Sequence, residues 1–353
     1  MLYGLYTVMP KTRISNVPNS RVHSHPVRAA LRHGLRALTP AIDDQMSRFV
    51  IRGLDRWSKS RAVEADIVIG LSSFATDTLR RAGDLGRLVV CDRGSWHILE
   101  QRAVLEREHE KWGFQPPRFD PWIVSRELSD YESADLIFVP SEAAESSFVR
   151  RGVAADKLRR IPYGVDTEVF ATPDRSGNGD FRVVSVGRVE LQKGHQYLLE
   201  ALAQIEYPAA TFVGPIDHEF GRRFADQLTR VTCTGRVGSD EVARLMRQSS
   251  VFVLASVQEG LALVVLEAMA SGLPVIATTA TGASEFVDDG VHGYLVSPGD
   301  PDAIAAALHD LREDRDLRKR MGDAASRRAQ EAGTWNSYGD SVASTLAAAT
   351  RCL

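Results

Sequence analysis

The sequence predicts an α/β protein built on parallel sheets in two lobes, and three observations predict it. Short β-branched runs alternate with longer helical stretches, the pattern of strands joined by crossover helices. The 353 residues suit two domains with proper cores rather than one. The alternation breaks once, at Thr172-Pro173-Asp174-Arg175-Ser176-Gly177-Asn178-Gly179-Asp180, which is turn chemistry throughout.

In chain order, strands are expected at Tyr3–Val8, Asp66–Leu71, Arg87–Cys91 and Leu136–Pro140, with a long polar helix at Ile98–Lys111. The segment 166–180 reads as a linker. A second series follows, with strands at Phe181–Val186, Ala210–Val213, Val231–Thr234, Val251–Ala255, Pro274–Ala277 and Tyr294–Val296. A helix opens at Pro298-Gly299-Asp300-Pro301-Asp302, with Asp300 as N-cap and Pro301 at its first position, which explains the Asp-x-Asp spacing better than a metal site. The Ala-rich tail from about Ala325 through Trp335 to Ala349 reads as helical.

Composition excludes several classes. Hydrophobic content of 44% and charged content of 25% are those of a soluble globular protein. Apolar runs such as Leu261–Leu266 are too short to cross a bilayer. Charges and prolines follow the first strand-like segment at once, unlike a secretory signal. Cys91, Cys233 and Cys352 lack CxxC spacing, so buried, reduced thiols in a cytoplasm are expected and no zinc site is. Residues 1–61 hold eleven Lys/Arg and three acids, a net +8 against −11 for the remainder. That asymmetry implies a local anionic partner, not nucleic-acid binding by the whole chain. Within it, Met46, Phe49, Val50, Leu54 and Trp57 fall at helical spacing, with Arg48, Arg52, Arg56 and Lys59 largely off that stripe. Such a helix either docks on an anionic membrane surface or packs on the first sheet.

Two segments carry chemistry. In Val184-Ser185-Val186-Gly187-Arg188-Val189-Glu190-Leu191-Gln192-Lys193-Gly194-His195 a strand ends in Gly187 and a helix starts past Gly194. Ligands of open α/β sheets sit at such carboxyl ends. Arg188 and Lys193 would place a forked and a point cation on one diphosphate; two solvated loop charges give the same pattern. Neither a GxxxxGK[ST] loop nor GxGxxG is present. In the second segment, Ser256 to Ile276, a strand runs into a loop bearing Glu259 and Gly260-Leu261-Ala262-Leu263, then an apolar helix containing Glu267. A carboxylate in that helix is costly to bury unless paired, and ribose hydroxyls are natural donors to it. An exposed helix face for Glu267 and an ordinary loop acid for Glu259 are the plain alternatives.

Taken together these segments resemble the retaining glycosyltransferases of family four, whose GT-B fold sets two Rossmann-like lobes about a cleft. The family's E-x7-E element matches Glu259 and Glu267, and its Gly-Arg…Lys-Gly element matches Gly187, Arg188, Lys193 and Gly194. Thr234-Gly235-Arg236-Val237 resembles the base-binding loop. Thr281 to Glu285, Asp289 to Tyr294, Ser133 to Asp135 with Ser141, and Ile161 to Asp166 resemble further turns of the family. The likeness is close over 133–325 and faint before.

The resemblance implies a lobe over 1–165, the linker 166–180, a donor-binding lobe over 181–325 and a C-terminal helix over 326–353 returning to the first lobe. It implies that Arg188 and Lys193 neutralise the departing diphosphate, Glu267 binds ribose and Glu259 holds the donor sugar. Amides near Gly260–Leu263 would orient the sugar hydroxyls. First-lobe His97, in Asp92-Arg93-Gly94-Ser95-Trp96-His97, is assigned a place beside that sugar, and a satisfied loop histidine is the alternative. Arg93 is read as a partner for Asp92. No metal or cofactor is expected. The implied partners are a nucleotide sugar, a glycan or glycolipid acceptor and an anionic membrane on its inner, cytoplasmic face, with no nucleic acid. Anomeric configuration would be retained.

Ala262 stands where the family often has Gly or Pro, and Tyr163 replaces a usual Asn. The start reads as a second strand, so the first lobe is expected to lack one βα unit, on the order of 30 residues. A GT-B epimerase or phosphorylase, or a non-catalytic sugar-nucleotide-binding protein, are the competing readings.

Overall fold

The structure, a computed structural model, describes residues 5–7, 22–24, 40–61, 64–165, 167–170, 180–332 and 334–350. Its first elements are β1 (Leu5–Thr7), β2 (Val22–Ser24), α1 (Pro40–Lys59), β3 (Ile67–Leu71), α2 (Thr76–Asp84), β4 (Leu88–Asp92), α3 (Ile98–Lys111), α4 (Pro121–Ser133), β5 (Leu136–Val139), α5 (Glu142–Arg150) and β6 (Leu158–Arg160). Then follow α6 (Thr167–Phe170), β7 (Arg182–Val186), α7 (His195–Gln204), β8 (Ala209–Val213), α8 (His218–Arg223), α9 (Ala225–Leu228), β9 (Thr232–Cys233), α10 (Ser239–Arg247) and β10 (Val251–Leu254). The series closes with α11 (Leu263–Ala270), β11 (Val275–Thr278), β12 (Gly293–Val296), α12 (Pro301–Glu313), α13 (Arg315–Ala332) and α14 (Trp335–Thr350). No helix among the described residues is long and apolar enough to cross a membrane.

Contacts gather the described residues into two compact units. The first takes those of Met1–Arg93, Arg118–Phe138 and Ala154–Arg159; the second takes Gly94–Pro117, Val139–Val153 and Arg160–Leu353. In the first, β1 pairs in parallel with β2, and a separate sheet runs β3-β4-β5-β6, parallel at β3–β4 and β4–β5. In the second, a six-stranded sheet runs β12-β11-β10-β7-β8-β9 with every pairing parallel. Its central strands, Val183–Val184, Val251–Leu254 and Val275–Ala277, are buried throughout, which is why they read as unbroken apolar runs.

Each strand expected from Asp66 onward forms, with ends displaced by no more than one residue. Strands β2 and β6, of three residues each, were not expected; both lack a β-branched run long enough to stand out. Asp300 caps α12 as read, accepting from the Ala303 amide at 2.9 Å. Of the expected linker, Thr167–Phe170 form α6, and Phe170 joins the core of the second unit; residues 171–179 lie outside the described part. The expected Tyr3–Val8 strand is described only as Leu5–Thr7.

The inward stripe of α1 differs from the one read in the sequence. Val50, Ile51 and Asp55 are buried, while Phe49 is 53% exposed. The physical reason is Asp55, whose carboxylate accepts from the Asp77 and Thr78 amides at 2.8 and 2.9 Å, capping the start of α2. Arg126 pairs with the same carboxylate, so this buried charge is both paired and hydrogen-bonded.

Candidate active site

Strand β7 ends at Gly187, and the loop to α7 carries Arg188, Glu190, Gln192 and Lys193. Gly194 closes it in the left-handed region, φ 69°, and a Cβ there would collide with the Ala255 carbonyl beyond β10. Glycine thus lets the loop lie against the end of a neighbouring strand. A Cβ at Gly187 would lie 3.3 Å from Lys193 Cε, so the lysine stem crosses directly over this glycine.

The loop after β10 is pinned from three sides. Val257 N donates to the Gln192 carbonyl at 2.9 Å, Glu259 N to Ala280 O at 2.9 Å and Ala262 N to Thr281 O at 3.1 Å. Ser141 Oγ donates to the Gly260 carbonyl at 2.6 Å. A side chain at 260 would strike the Gly94 carbonyl, so this position demands glycine on space alone. From Ala262 the chain enters α11, and Glu267 lies half-buried within that helix rather than on an exposed face. Burial pushes its carboxyl above the usual range.

These two loops bring Lys193 and Glu259 together: Nζ lies 2.5 Å from Oε1, with both side chains largely buried. Arg188 is more open, its side chain 55% exposed, with Nε 3.8 Å from Glu190 Oε2. Glu190 is raised chiefly by burial, opposed by the charges of Arg188 and Lys193 and reinforced by Asp217 and Glu259. Two cations and two acids therefore share one local field at the carboxyl ends of β7 and β10, where parallel sheets bind ligands.

The remaining expected residues are placed as follows. Gly235 is left-handed at φ 69° and bridges to Gly214; Arg236 is exposed, and Val237 packs partly against the core. Gly260, Leu261 and Ala262 are buried, and Leu263 is half-buried at the start of α11. His97 is buried and caps α3, its Nδ1 accepting from Leu99 N at 3.3 Å. Its amide donates to Ser147 Oγ at 2.8 Å, and its ring meets Phe148 edge-on. In the first unit, Arg93 pairs with Glu127 at 3.2 Å, not with Asp92 as read in the sequence. Tyr131 Oη donates to that same Glu127 at 2.6 Å, so the glutamate already anchors the network Arg93 enters. Burial pushes Asp92, at the end of β4, up to about 6 and drives the Cys91 thiol well up, consistent with an unreactive buried thiol.

The sequence reading missed Glu190, Gln192 and Gln258. Glu190 was legible as the acid midway between two cations. The glutamines were not, because their partners lie 66 and 163 positions away.

Two family models match the chain: "Glycosyltransferase Family 4" over residues 44–169 and "Glycosyl transferases group 1" over 180–314. The sulfoquinovosyl transferase SQD2 of Arabidopsis thaliana is 33% identical over 220 residues, 58% of this chain and 42% of that protein. The MMP α-(1→4)-mannosyltransferase of Mycolicibacterium hassiacum is 30% identical over 214 residues, 58% of this chain and 51% of that protein. The chain thus spans about half the length of these curated relatives. Among solved structures, Anabaena HepE in complex with UDP-glucose superposes with a TM-score of 0.67 at 23% identity, covering 84% of this chain and 82% of HepE. That likeness shows the same fold.

Proposed function

Since the chain belongs to the family-four glycosyltransferases, with their GT-B fold, we propose that it moves a hexosyl group from a nucleotide-sugar donor to a saccharide or lipid-linked acceptor, with retention of anomeric configuration. The observation that carries this is the Lys193–Glu259 pair beside Arg188 and Glu190. In this reading the diphosphate draws Lys193 and Arg188 onto its oxygens, and the freed Glu259 takes the sugar hydroxyls. Charge developing on the leaving diphosphate meets cations already held in place. With the start of α11 these cations supply the countercharge, so no divalent ion is required. Glu267 takes the ribose, the Gly235–Val237 turn the base, amides of Gly260–Leu263 the sugar, and His97 stands near the transferred sugar. Relatives named for moving sulfoquinovosyl and mannosyl groups support a hexose-type donor, and the UDP-glucose held by the structural neighbour supports a nucleotide sugar.

Screening a panel of UDP-, GDP- and ADP-sugars for released nucleotide tests the reading. Turnover of one donor, with an acceptor or with water, supports it; binding without release of any nucleotide turns the assignment to a binding protein. Glu267→Gln is expected to weaken nucleotide binding about tenfold by calorimetry, the loss of one charge-assisted pair of hydrogen bonds. Unchanged affinity would remove Glu267 from the ribose.

We assign α1 to an anionic membrane surface on the cytoplasmic side, beside a lipid-linked acceptor. Its outward face carries Phe49, Arg52, Arg56 and Lys59, all exposed, a combination suited to acidic headgroups. Phe49→Ser with Arg52→Glu and Arg56→Glu should abolish co-sedimentation with vesicles rich in acidic phospholipid. Equal binding to neutral vesicles would rule the assignment out.

A further inference from the structure

We propose that Gln258 is a positioning residue that holds three segments in one frame: the Gly94–His97 turn, the loop bearing Lys193 and the loop bearing Glu259. The catalytic part of this inference rests on the donor-site reading above. All three segments belong to the second unit.

Gln258 is fully buried. Its side-chain Nε2 donates to Ser95 Oγ at 3.0 Å. Gln192 Nε2 donates both to Gln258 Oε1 and to the Gln258 carbonyl, each at 3.2 Å. The Gln192 carbonyl in turn accepts from Val257 N at 2.9 Å, closing the ring of contacts. Gln192 precedes Lys193, Gln258 precedes Glu259, and Ser95 stands two residues before His97. One amide side chain therefore bridges the three segments, and each bond it makes falls within two residues of one assigned to the donor.

The chemistry selects an amide. The position needs a donor toward Ser95 and an acceptor toward Gln192, and the carboxamide offers both without charge. A buried leucine of similar size would take from Ser95 Oγ its Gln258 donor and leave Gln192 Nε2 only the Gln258 backbone carbonyl. The backbone bonds that pin Glu259 and Ala262 to Ala280 and Thr281 do not involve Ser95 or Gln192. The turn has its own tie, from the His97 amide to Ser147 Oγ, but that bond does not set its distance from Lys193 or Glu259. Close approach of Gly94 to Gly260 leaves no slack once the bridge is made.

The test uses Gln258→Leu, Ser95→Ala and the double variant in the full chain, read by amide hydrogen exchange and by donor kinetics. Both single variants are expected to raise exchange over residues 94–97 about tenfold, while peptides from β3 and β4 stay unchanged. With the donor found by the panel, each should lower kcat about tenfold with KM held within about twofold, the signature of lost alignment rather than lost donor binding. The double variant should be no worse than Gln258→Leu alone, because the bond that Ser95→Ala removes is already lost in Gln258→Leu. Should Gln258→Leu fail to fold, Ser95→Ala carries both readouts. Unchanged exchange over 94–97 in Ser95→Ala, or multiplied losses in the double variant, overturns the proposal. Faster exchange in a protein whose wild type turns over no donor supports the bridge and instead defeats the transferase reading.

Discussion

Lys193→Ala is expected to lower donor kcat/KM by about 10²–10³, or roughly 3–4 kcal/mol, the scale seen when one preorganised group facing developing charge is removed. Two effects add. The diphosphate loses the point cation nearest the strand end, and Arg188 is too exposed to replace it, since screening by solvent weakens its pull. Glu259 meanwhile loses its 2.5 Å partner and remains largely buried within the field of Glu190. An uncompensated acid there repels the incoming phosphates instead of receiving the sugar. Lys193→Arg should recover only part of the loss, because a planar fork does not fit where the lysine stem runs over Gly187. Glu259→Gln should behave differently, lowering kcat while leaving nucleotide affinity nearly intact. Steady-state rates of nucleotide release for the three variants decide the matter. A Lys193→Ala enzyme within about threefold of wild type would remove Lys193 from the donor.

The same loops show what a single sequence reveals and what it hides. The sheet of the second unit was legible because both its faces are covered, so its strands read as apolar runs between turn residues. The spacing of Glu259 and Glu267, and of Arg188 and Lys193, was legible because each pair lies within one short stretch of chain. That Lys193 meets Glu259, rather than pointing with Arg188 into solvent, was not legible: it follows from Gly194 settling against Ala255, a contact between distant strands. Asp55 shows the same limit. In a segment with eleven cations it reads as a stray acid, yet it is buried under Arg126 and caps α2. Gln258 hides for a different reason, since glutamine carries no periodicity, charge or spacing that separates a bridge from a surface residue.

His195 is expected to make the second unit less stable in acid. It opens α7 and is buried between Phe212 and Phe220, with ring centroids 4.9 and 6.3 Å away. Burial lowers its pKa to about 3, opposed by the Glu190 backbone and reinforced by the Lys193 charge. The positive end of the helix it begins acts in the same direction as Lys193. Above the ordinary value of 6.5 the ring is neutral whether folded or unfolded, and the protein keeps its full stability. As pH falls below that value the unfolded chain takes up a proton that the folded chain refuses. Stability should therefore drop by about 1.4 kcal/mol per pH unit, or about 2 kcal/mol between pH 6.5 and about 5. Asp92 and Asp130 work the other way. Both are raised to about 6 by burial, so between their ordinary value and 6 they hold protons in the folded state and stabilise it as pH falls. The whole chain's profile mixes these terms, and the difference from a variant isolates one of them. His195→Asn keeps a neutral polar group of similar size, so its stability deficit relative to wild type should shrink by about 2 kcal/mol between neutral pH and about pH 5 in urea denaturation. Parallel profiles for the two proteins would mean that His195 is charged, or readily becomes so, in the folded chain. A proton there would set a third cation beside Arg188 and Lys193, two residues from the latter.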